Sequence, residues 1–332
     1  MAVEVNAQQA GGPDGKYGLL SKDLIHMLKT YEIKYFREDK PVPFCGMEIH
    51  PIKVRDFEEF SHCTTCLTLN KNETPAGIRL SHLEFLITKI QSADVEESRL
   101  WSYRLQRLFE MCFQIKNGLR CKNCGRLITY DSKEFLDFST KLNEMIAKEA
   151  GKLENLPLLI CPDCGGTGFN EMIKITQDPN TKKAQLVVDG HTITKDDYNK
   201  LRQIILYQNF YDYVDESWVD PEIKKDHDEK LRLEQAKNDV HATIEKKVIC
   251  LSIATNYKFD EIYEMPIRKF TMALATVDDL INYKIKKQAV MSGFVSLPKG
   301  EKIEHWIYKP NKDMYGDSYK STDDVHSSVS VL

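Results

Sequence analysis

The chain has 332 residues, enough for about two domains at ~150 residues each. Its 42% hydrophobic content supports packed cores and excludes a wholly disordered chain. With 46 Lys+Arg against 50 Asp+Glu the net charge is −4, so no global basic field recruits nucleic acid or an anionic membrane, and 16 Gly and 12 Pro are too few for a fibrous or low-complexity chain.

No run approaches the ~18 apolar residues of a membrane span. The stretch from Met1 to Lys16 carries Glu4 and Asp14 without an apolar segment, and is not expected to act as a signal peptide. The chain is therefore expected in a cytosol. Its nine cysteines, an odd number, then read as reduced thiols or metal ligands before disulfides.

In chain order, Gly11, Gly12, Pro13 and Gly15 predict a flexible arm over residues 1–16. Ser21 is a predicted N-cap for a helix carrying Leu24, Ile25, Leu28, Ile33 and Phe36, ended by Pro41 and Pro43. Phe44 to Val54 alternates as a strand or hairpin does. Asp56 is placed to cap a helix with Phe57, Phe60, Cys63 and Leu67. Ser81 with Glu84 forms a capping-box pattern before Leu83–Ile90. A longer helix follows, with Leu100, Tyr103, Leu105, Leu108, Phe109, Cys112 and Phe113 read as its inner side.

Residues 119–130 and 157–193 hold short apolar strands, Gly clusters and two cysteine pairs, separated by an amphipathic helix from Ser132 to Ala150. Asp178-Pro179-Asn180 predicts a hairpin between Met172–Thr176 and Gln185–Asp189, and Asp189-Gly190 another before His191–Ile193. Thr194 and Asp197 open a helix with Tyr198, Leu201, Ile204, Ile205 and Tyr207, followed by the aromatic connector Phe210, Tyr211, Tyr213 and Trp218. Asp220-Pro221 starts a charged helix through about Asn238; from Glu222 to Lys247 seven basic and seven acidic residues read as a solvated face. Apolar residues 240–255, a helix from Pro266 through Leu274, and a last helix from Val277 to Met291 follow. His305 to Tyr308 reads as a closing strand or docking arm, and residues 309–332 as a flexible tail.

The strongest chemical signal is Cys121-Lys122-Asn123-Cys124-Gly125 with Cys161-Pro162-Asp163-Cys164-Gly165. A C-x-x-C turn converges two thiolates on one ion, and a following glycine supplies the positive φ that the knuckle needs. Two knuckles give a structural zinc site on Cys121, Cys124, Cys161 and Cys164, one ion per chain, with no coordination position left for catalysis. The spacer between Cys124 and Cys161 exceeds the ~15–20 residues usual between ribbon knuckles, and the helix 132–150 fills it as an insertion. A third pair, Cys63-Thr64-Thr65-Cys66, has no following glycine and fits a helix, so it reads as buried thiols, with a second metal site helped by His62, His50 or His82 as the alternative; Cys45, Cys112 and Cys250 read as core as well.

The chain has no Walker loop, no G-x-G-x-x-G, no G-x-S-x-G and no H-E-x-x-H. Gly165-Gly166-Thr167-Gly168 belongs to the knuckle and its turn. The acidic pairs Asp196-Asp197, Asp278-Asp279 and Asp323-Asp324 read as caps, solvated faces or tail. The chain is thus read as non-enzymatic. Lys116, Arg120, Lys122 and Arg126 form a modest basic patch, with Asp131, Asp163 and Asp178 in the same module, so nucleic-acid binding would be weak and salt-sensitive.

These features predict an α+β, mainly helical fold with a zinc-ribbon-like module inserted between two helical parts. The predicted segments are 1–16, a flexible arm; 17–118, a helical module with a small β element; 119–193, the zinc-ribbon-like module with its inserted helix 132–150; 194–308, a helical C-terminal module; and 309–332, a flexible tail.

Several short runs are recognisable: Leu201-Arg202-Gln203-Ile204-Ile205-Leu206-Tyr207-Gln208-Asn209, Val219-Asp220-Pro221-Glu222, Asp260-Glu261-Ile262-Tyr263-Glu264-Met265 with Ile267-Arg268-Lys269-Phe270, Met291-Ser292-Gly293, Glu304-His305-Trp306-Ile307, and Pro43-Phe44-Cys45-Gly46-Met47-Glu48-Ile49-His50-Pro51-Ile52. Over roughly 40–70 and 195–308 the chain resembles a family encoded in the tail gene clusters of large tailed phages of Gram-positive hosts, whose members accompany tail and baseplate assembly. The resemblance implies a non-enzymatic structural or assembly component, present in several copies, with other tail and baseplate proteins as partners. It implies a location in the bacterial host cytoplasm during assembly and in the virion tail if the protein is retained. The zinc module and the 309–332 tail do not map onto that family. The alternative is a zinc-dependent viral nucleic-acid-binding or regulatory protein, and a third reading is a cytosolic enzyme whose site carries no motif.

Overall fold

The computed structural model describes residues 20–71, 74–148, 158–178, 181, 183–215, 221–238, 242–293, 303 and 305–307. The predicted arm 1–16, the tail 309–332, Trp218, Tyr308 and the turn residues Pro179 and Asn180 lie outside these residues. The chain is α+β and mainly helical, and a cluster of four cysteines lies between helical parts.

The helices are α1 (Lys22–Lys34), α2 (Phe57–Cys63), α3 (His82–Ile90), α4 (Val95–Phe113), α5 (Lys133–Lys148), α6 (Lys195–Asn209), α7 (Pro221–Asn238), α8 (Ile244–Thr255), α9 (Phe259–Glu264) and α10 (Ile267–Met291). The strands are β1 (Val42–Phe44), β2 (Met47–Ile49), β3 (Gly118–Cys121), β4 (Leu127–Thr129), β5 (Phe169–Glu171), β6 (Ile173–Gln177), β7 (Ala184–Val188) and β8 (His191–Ile193). Two compact units share them. One comprises Met1–Pro41, Pro51–Arg79 and Arg202–Leu332; the other comprises Val42–His50 and Leu80–Leu201.

In the first unit, Ser21 caps α1 by accepting from the Leu24 N–H at 3.3 Å. Leu24 and Leu28 are buried, but Ile33 is exposed, because α1 presents only a narrow stripe inward. Asp56 precedes α2 as predicted, yet its side chain makes no capping bond. The segment 52–54 is stitched in by main-chain bonds. Ile52 N–H donates to Asn209 Oδ1 at 2.8 Å, Val54 N–H to the Met265 carbonyl at 2.9 Å, and Ile267 N–H to the Ile52 carbonyl at 2.8 Å. Val54 then joins Val248, Leu251, Ile262 and Phe270 in one apolar core. The predicted break before Val277 is absent. Pro266 precedes the first turn, and no Gly or Pro follows to interrupt the helix, so α10 is continuous over 25 residues. Trp306 and Ile307 form a turn rather than a closing strand.

Every residue of α6 from Leu201 to Asn209 is buried, polar ones included. The Arg202 guanidinium donates to Asp215 Oδ1 at 2.8 Å and to the Leu67 carbonyl. Gln203 Nε2 donates to Asp215 Oδ2 at 2.8 Å, and Asn209 Nδ2 to the Ile205 carbonyl at 2.9 Å. Arg268 reaches the Tyr207 carbonyl and Glu32, both at 2.8 Å. A helix surrounded on all sides must satisfy its polar side chains internally.

In the second unit, β1 and β2 form an antiparallel hairpin that ends at Ile49, short of the predicted Val54. It reverses at Cys45 and Gly46, with φ of 47° and 79°. Cys45 is therefore an exposed turn residue and not core. A Cβ on Gly46 would lie 2.8 Å from the His191 ring. The predicted capping box of α3 is present in both directions between Ser81 and Glu84. On α4, Leu105, Leu108, Phe109, Cys112 and Phe113 are buried. Leu100 and Tyr103 are exposed, since they project from the side of the helix opposite that stripe. The sheet β6–β7–β8 is an antiparallel meander, with Ile173 opposite Val188 and Leu186 opposite Ile193. Asp189 and Gly190 turn its second hairpin with positive φ at both, as the sequence predicts. Thr194 Oγ1 accepts from the Asp197 N–H at 3.2 Å and caps α6.

Candidate metal centre

The metal centre is built on the three-stranded sheet β4–β3–β5, in which β3 pairs antiparallel with both neighbours. Gly118 lets β3 approach β4 closely: a Cβ there would sit 2.3 Å from the Ile128 carbonyl oxygen. Cys121 is the last residue of β3 and pairs with Phe169, the first of β5. The loop between β3 and β4 is one knuckle, and the loop before β5 is the other. Antiparallel pairing therefore brings both knuckles to the same end of the sheet, across the long insertion that contains α5.

The two knuckles have the same main-chain bonding. Cys121 N–H donates to the Arg126 carbonyl at 2.8 Å and Gly125 N–H to the Cys121 carbonyl at 3.0 Å. Cys161 N–H donates to the Gly166 carbonyl at 2.8 Å and Gly165 N–H to the Cys161 carbonyl at 2.9 Å. Gly125 and Gly165 hold φ of 77° and 67°, the left-handed conformation that glycine adopts without strain. Lys122 N–H donates to the Gly168 carbonyl at 2.9 Å and ties one knuckle to the exit of the other. A Cβ on Gly166 would meet the Asn123 side-chain amide at 2.6 Å and displace it.

The Sγ atoms of Cys121, Cys124, Cys161 and Cys164 all lie within 4.8 Å of one another. The closest approaches cross between knuckles, at 3.6 Å for Cys121–Cys164 and 3.5 Å for Cys124–Cys161. A disulfide requires ~2.05 Å. Thiolates held ~2.3 Å from a tetrahedral ion sit about 3.8 Å apart, so these separations fit four ligands of one ion. Cys121 and Cys161 are buried, while Cys124 and Cys164 face outward.

Electrostatics favour one thiolate and resist four. Main-chain N–H groups of Cys124 and Asn123 donate to Cys121 and lower its pKa to about 7. At Cys164 the Gly166 N–H works in the same direction, but the neighbouring thiols Cys124, Cys121 and Cys161 together with burial outweigh it and push the pKa to about 12. Cys124 is also raised: the Arg126 N–H lowers it, and Cys161, burial and Cys121 more than compensate. Four crowded thiols cannot all ionise beside one another, and a divalent cation among them removes that repulsion.

Arg126, read from sequence as part of a basic patch, is a structural tie. It pairs with Asp163 in the second knuckle and with Glu134 of α5 at 3.3 Å. Arg120 pairs with Asp189 at 2.9 Å. Two of the four cations in the patch are therefore answered by carboxylates. The signal was present in Asp163, Glu134 and Asp189, but their partners are remote in sequence.

Cys63 and Cys66 are buried on α2 and the turn that follows it, as expected, and Cys112 is buried on α4. Cys250 was expected in the core and is exposed, because it projects from the side of α8 opposite Val248 and Leu251. The buried cluster of Arg202, Gln203 and Asp215 was not singled out from sequence. Its signal was four polar residues within an otherwise apolar nine-residue run that has no polar face.

No helix among the described residues is long and apolar enough to cross a membrane. No curated protein and no solved structure gives a significant match to the chain. Residues 234–311 match the family described as the YomV second domain, named for a protein of the Bacillus phage SPbeta region. That stretch contains α8, α9 and α10, and so most of the apolar core built around Leu251 and Phe270. In its C-terminal part the chain is similar to a phage-associated family.

Proposed function

We propose that the chain is a non-enzymatic structural or assembly component of a phage tail or baseplate, stabilised by one structural zinc and acting through protein–protein interfaces. The convergence of Cys121, Cys124, Cys161 and Cys164 at one sheet end carries the metal part. An all-thiolate set favours zinc, and four protein ligands leave no place for a substrate. When bound, the ion supplies charge compensation and fixes the two knuckles. The chain's own residues do the rest: Arg126 joins the knuckles to α5, and the Lys122–Gly168 bond closes them on each other.

The similarity of residues 234–311 to a phage-associated domain supports the phage setting. The tail and baseplate role extends the resemblance of the runs at 40–70 and 195–308. The bacterial host cytoplasm is the proposed site of action during assembly, with other tail and baseplate proteins as partners. Nucleic-acid binding is the weaker reading, since Arg120 and Arg126 are engaged with Asp189, Asp163 and Glu134.

Mass spectrometry of purified particles and of tail intermediates from a phage encoding the chain tests the proposal. The expected result is peptides of this chain at fixed stoichiometry to tail proteins in one of those fractions. Absence from both fractions, with retention on DNA at ~0.15 M salt, would overturn it in favour of the nucleic-acid reading.

A further inference from the structure

Helix α8 carries two apolar stripes and its own unit uses one. Val248 and Leu251 are 1% and 0% exposed, in the core with Ile262 and Phe270. On the opposite side lie Lys246, Ile249, Cys250 and Ile253, spaced i, i+3, i+4 and i+7. Ile249 is 40% and Ile253 78% exposed, and Cys250 is exposed as well. Past the helix end Ser252 Oγ donates to the Tyr257 carbonyl at 2.7 Å and Asn256 takes the left-handed conformation. Tyr257 is 47% and Phe259 51% exposed.

We propose that this outer face of α8, continued by Tyr257 and Phe259, is a self-association surface that receives the same face of a second copy across a two-fold axis. Two features favour a second copy over an unrelated partner. The first is area. The four exposed large side chains present roughly 400 Å² of apolar surface if a bare aromatic-sized side chain counts as about 200 Å². A standard interface covers about 800 Å² per partner, a little over half of it apolar, so one such face supplies the apolar share. The second is charge. Lys246 stands at the start of the stripe, and Asp260 follows its far end on α9. Glu245 and Lys247 flank Lys246 with opposite signs, and Lys258 with Glu261 does the same beside Asp260. Antiparallel packing of α8 on its copy sets each Lys246 toward the other copy's Asp260. That register puts the two-fold axis level with Ile253, midway between Lys246 and Asp260, so the two Ile253 side chains meet near it.

This goes beyond the assembly role and does not depend on it: self-association is read on the purified chain, whereas that role is read on particles. Sedimentation of the full-length, zinc-loaded protein should show a concentration-dependent dimer. Ile253→Glu should weaken it at least ~30-fold, the scale of a central interface anchor, with the melting temperature of the chain unchanged because Ile253 is outside the core. Lys246→Asp should weaken the dimer, and Lys246→Asp with Asp260→Lys in the same chain should restore it. A protein that stays monomeric at high micromolar concentration would overturn the proposal. So would a dimer indifferent to Ile253→Glu, or one that the charge exchange leaves broken.

Discussion

Cys161→Ser removes a buried candidate ligand while leaving both knuckle turns their glycines. The sheet it anchors is small: β3 pairs with β4 over three residues and with β5 over three. Among the described side chains of residues 118–129 and 158–171, Cys121, Ile128 and Cys161 are buried, so two of the three are candidate metal ligands. A structural zinc contributes on the order of 10 kcal/mol in small metal-folded modules, against a net stability of about 5–15 kcal/mol for a whole domain. Loss of the ion is therefore enough to unfold the module outright. The expected result is less than 0.1 equivalent of zinc by mass spectrometry, from about one in the parent. Hydrogen exchange should become fast over 118–129 and 158–171. Protection in α8 and α10 should stay as it was, because their core of Val248, Leu251, Ile262 and Phe270 contains no module residue. Chelation of the parent protein should reproduce the pattern. Slow exchange over 118–129 in a zinc-free protein would refute the reasoning, since packing alone would then hold the knuckles.

Metal affinity should fall steeply with acidity. In the metal-free site Cys164 sits at about 12 and Cys124 is raised, while bound thiolates carry no proton, so uptake near pH 7 releases at least the two protons of these thiols. The metal-linked stability is present at high pH and lost as pH falls, by roughly tenfold in affinity per proton per pH unit; competition with a chromogenic chelator from pH 8 to 6 measures it, and a flat profile contradicts it. Asp215→Ala should cost about 3–5 kcal/mol by denaturant titration, because it strands the buried Arg202 guanidinium, whereas Arg202→Met with Asp215→Leu should recover most of the loss. Cys63→Ala and Cys66→Ala should each cost about 1 kcal/mol and leave the zinc content unchanged; loss of metal in either would place a ligand where the structure has a packed thiol.

Local chemistry was legible wherever the structure is local. The Ser81–Glu84 box, the Ser21 cap, the Asp189-Gly190 turn and the paired knuckles each depend on residues within a few positions of one another. Burial was legible less often, because it depends on what another segment covers. Leu100 and Tyr103 share a helix with Leu105, and it is their place opposite the stripe of Leu105, Leu108, Phe109, Cys112 and Phe113, a periodicity that the sequence holds but the expectation for α4 did not use, that leaves them exposed. Cys45 and Cys250 sit in runs as apolar as that of Cys112. One turns a hairpin and the other projects from the outer side of a helix. The discontinuity of the units was not legible at all, since residues 42–50 and 51–79 belong to different ones and no composition change separates them.

The run from Leu201 to Asn209, prominent in the resemblance, is buried at every position. Arg202, Gln203 and Asn209 are held there by bonds to Asp215, Leu67, Ile52 and Ile205. Such a helix tolerates little change, because each polar side chain needs a partner of fixed chemistry and each apolar one fills a fixed volume. A recognisable run of this kind reports the fold that a chain shares and not the surface with which it acts. The surface of α8 obeys the opposite rule. Ile249, Ile253, Tyr257 and Phe259 are 40–78% exposed, so much of their apolar surface has no cover inside the unit. It is these residues, and not the buried run, whose replacement should separate assembly from folding. Ile253→Glu should leave the melting temperature within about 0.5 kcal/mol of the parent in stability terms while removing association. A matching loss of stability would show that Ile253 serves the fold after all.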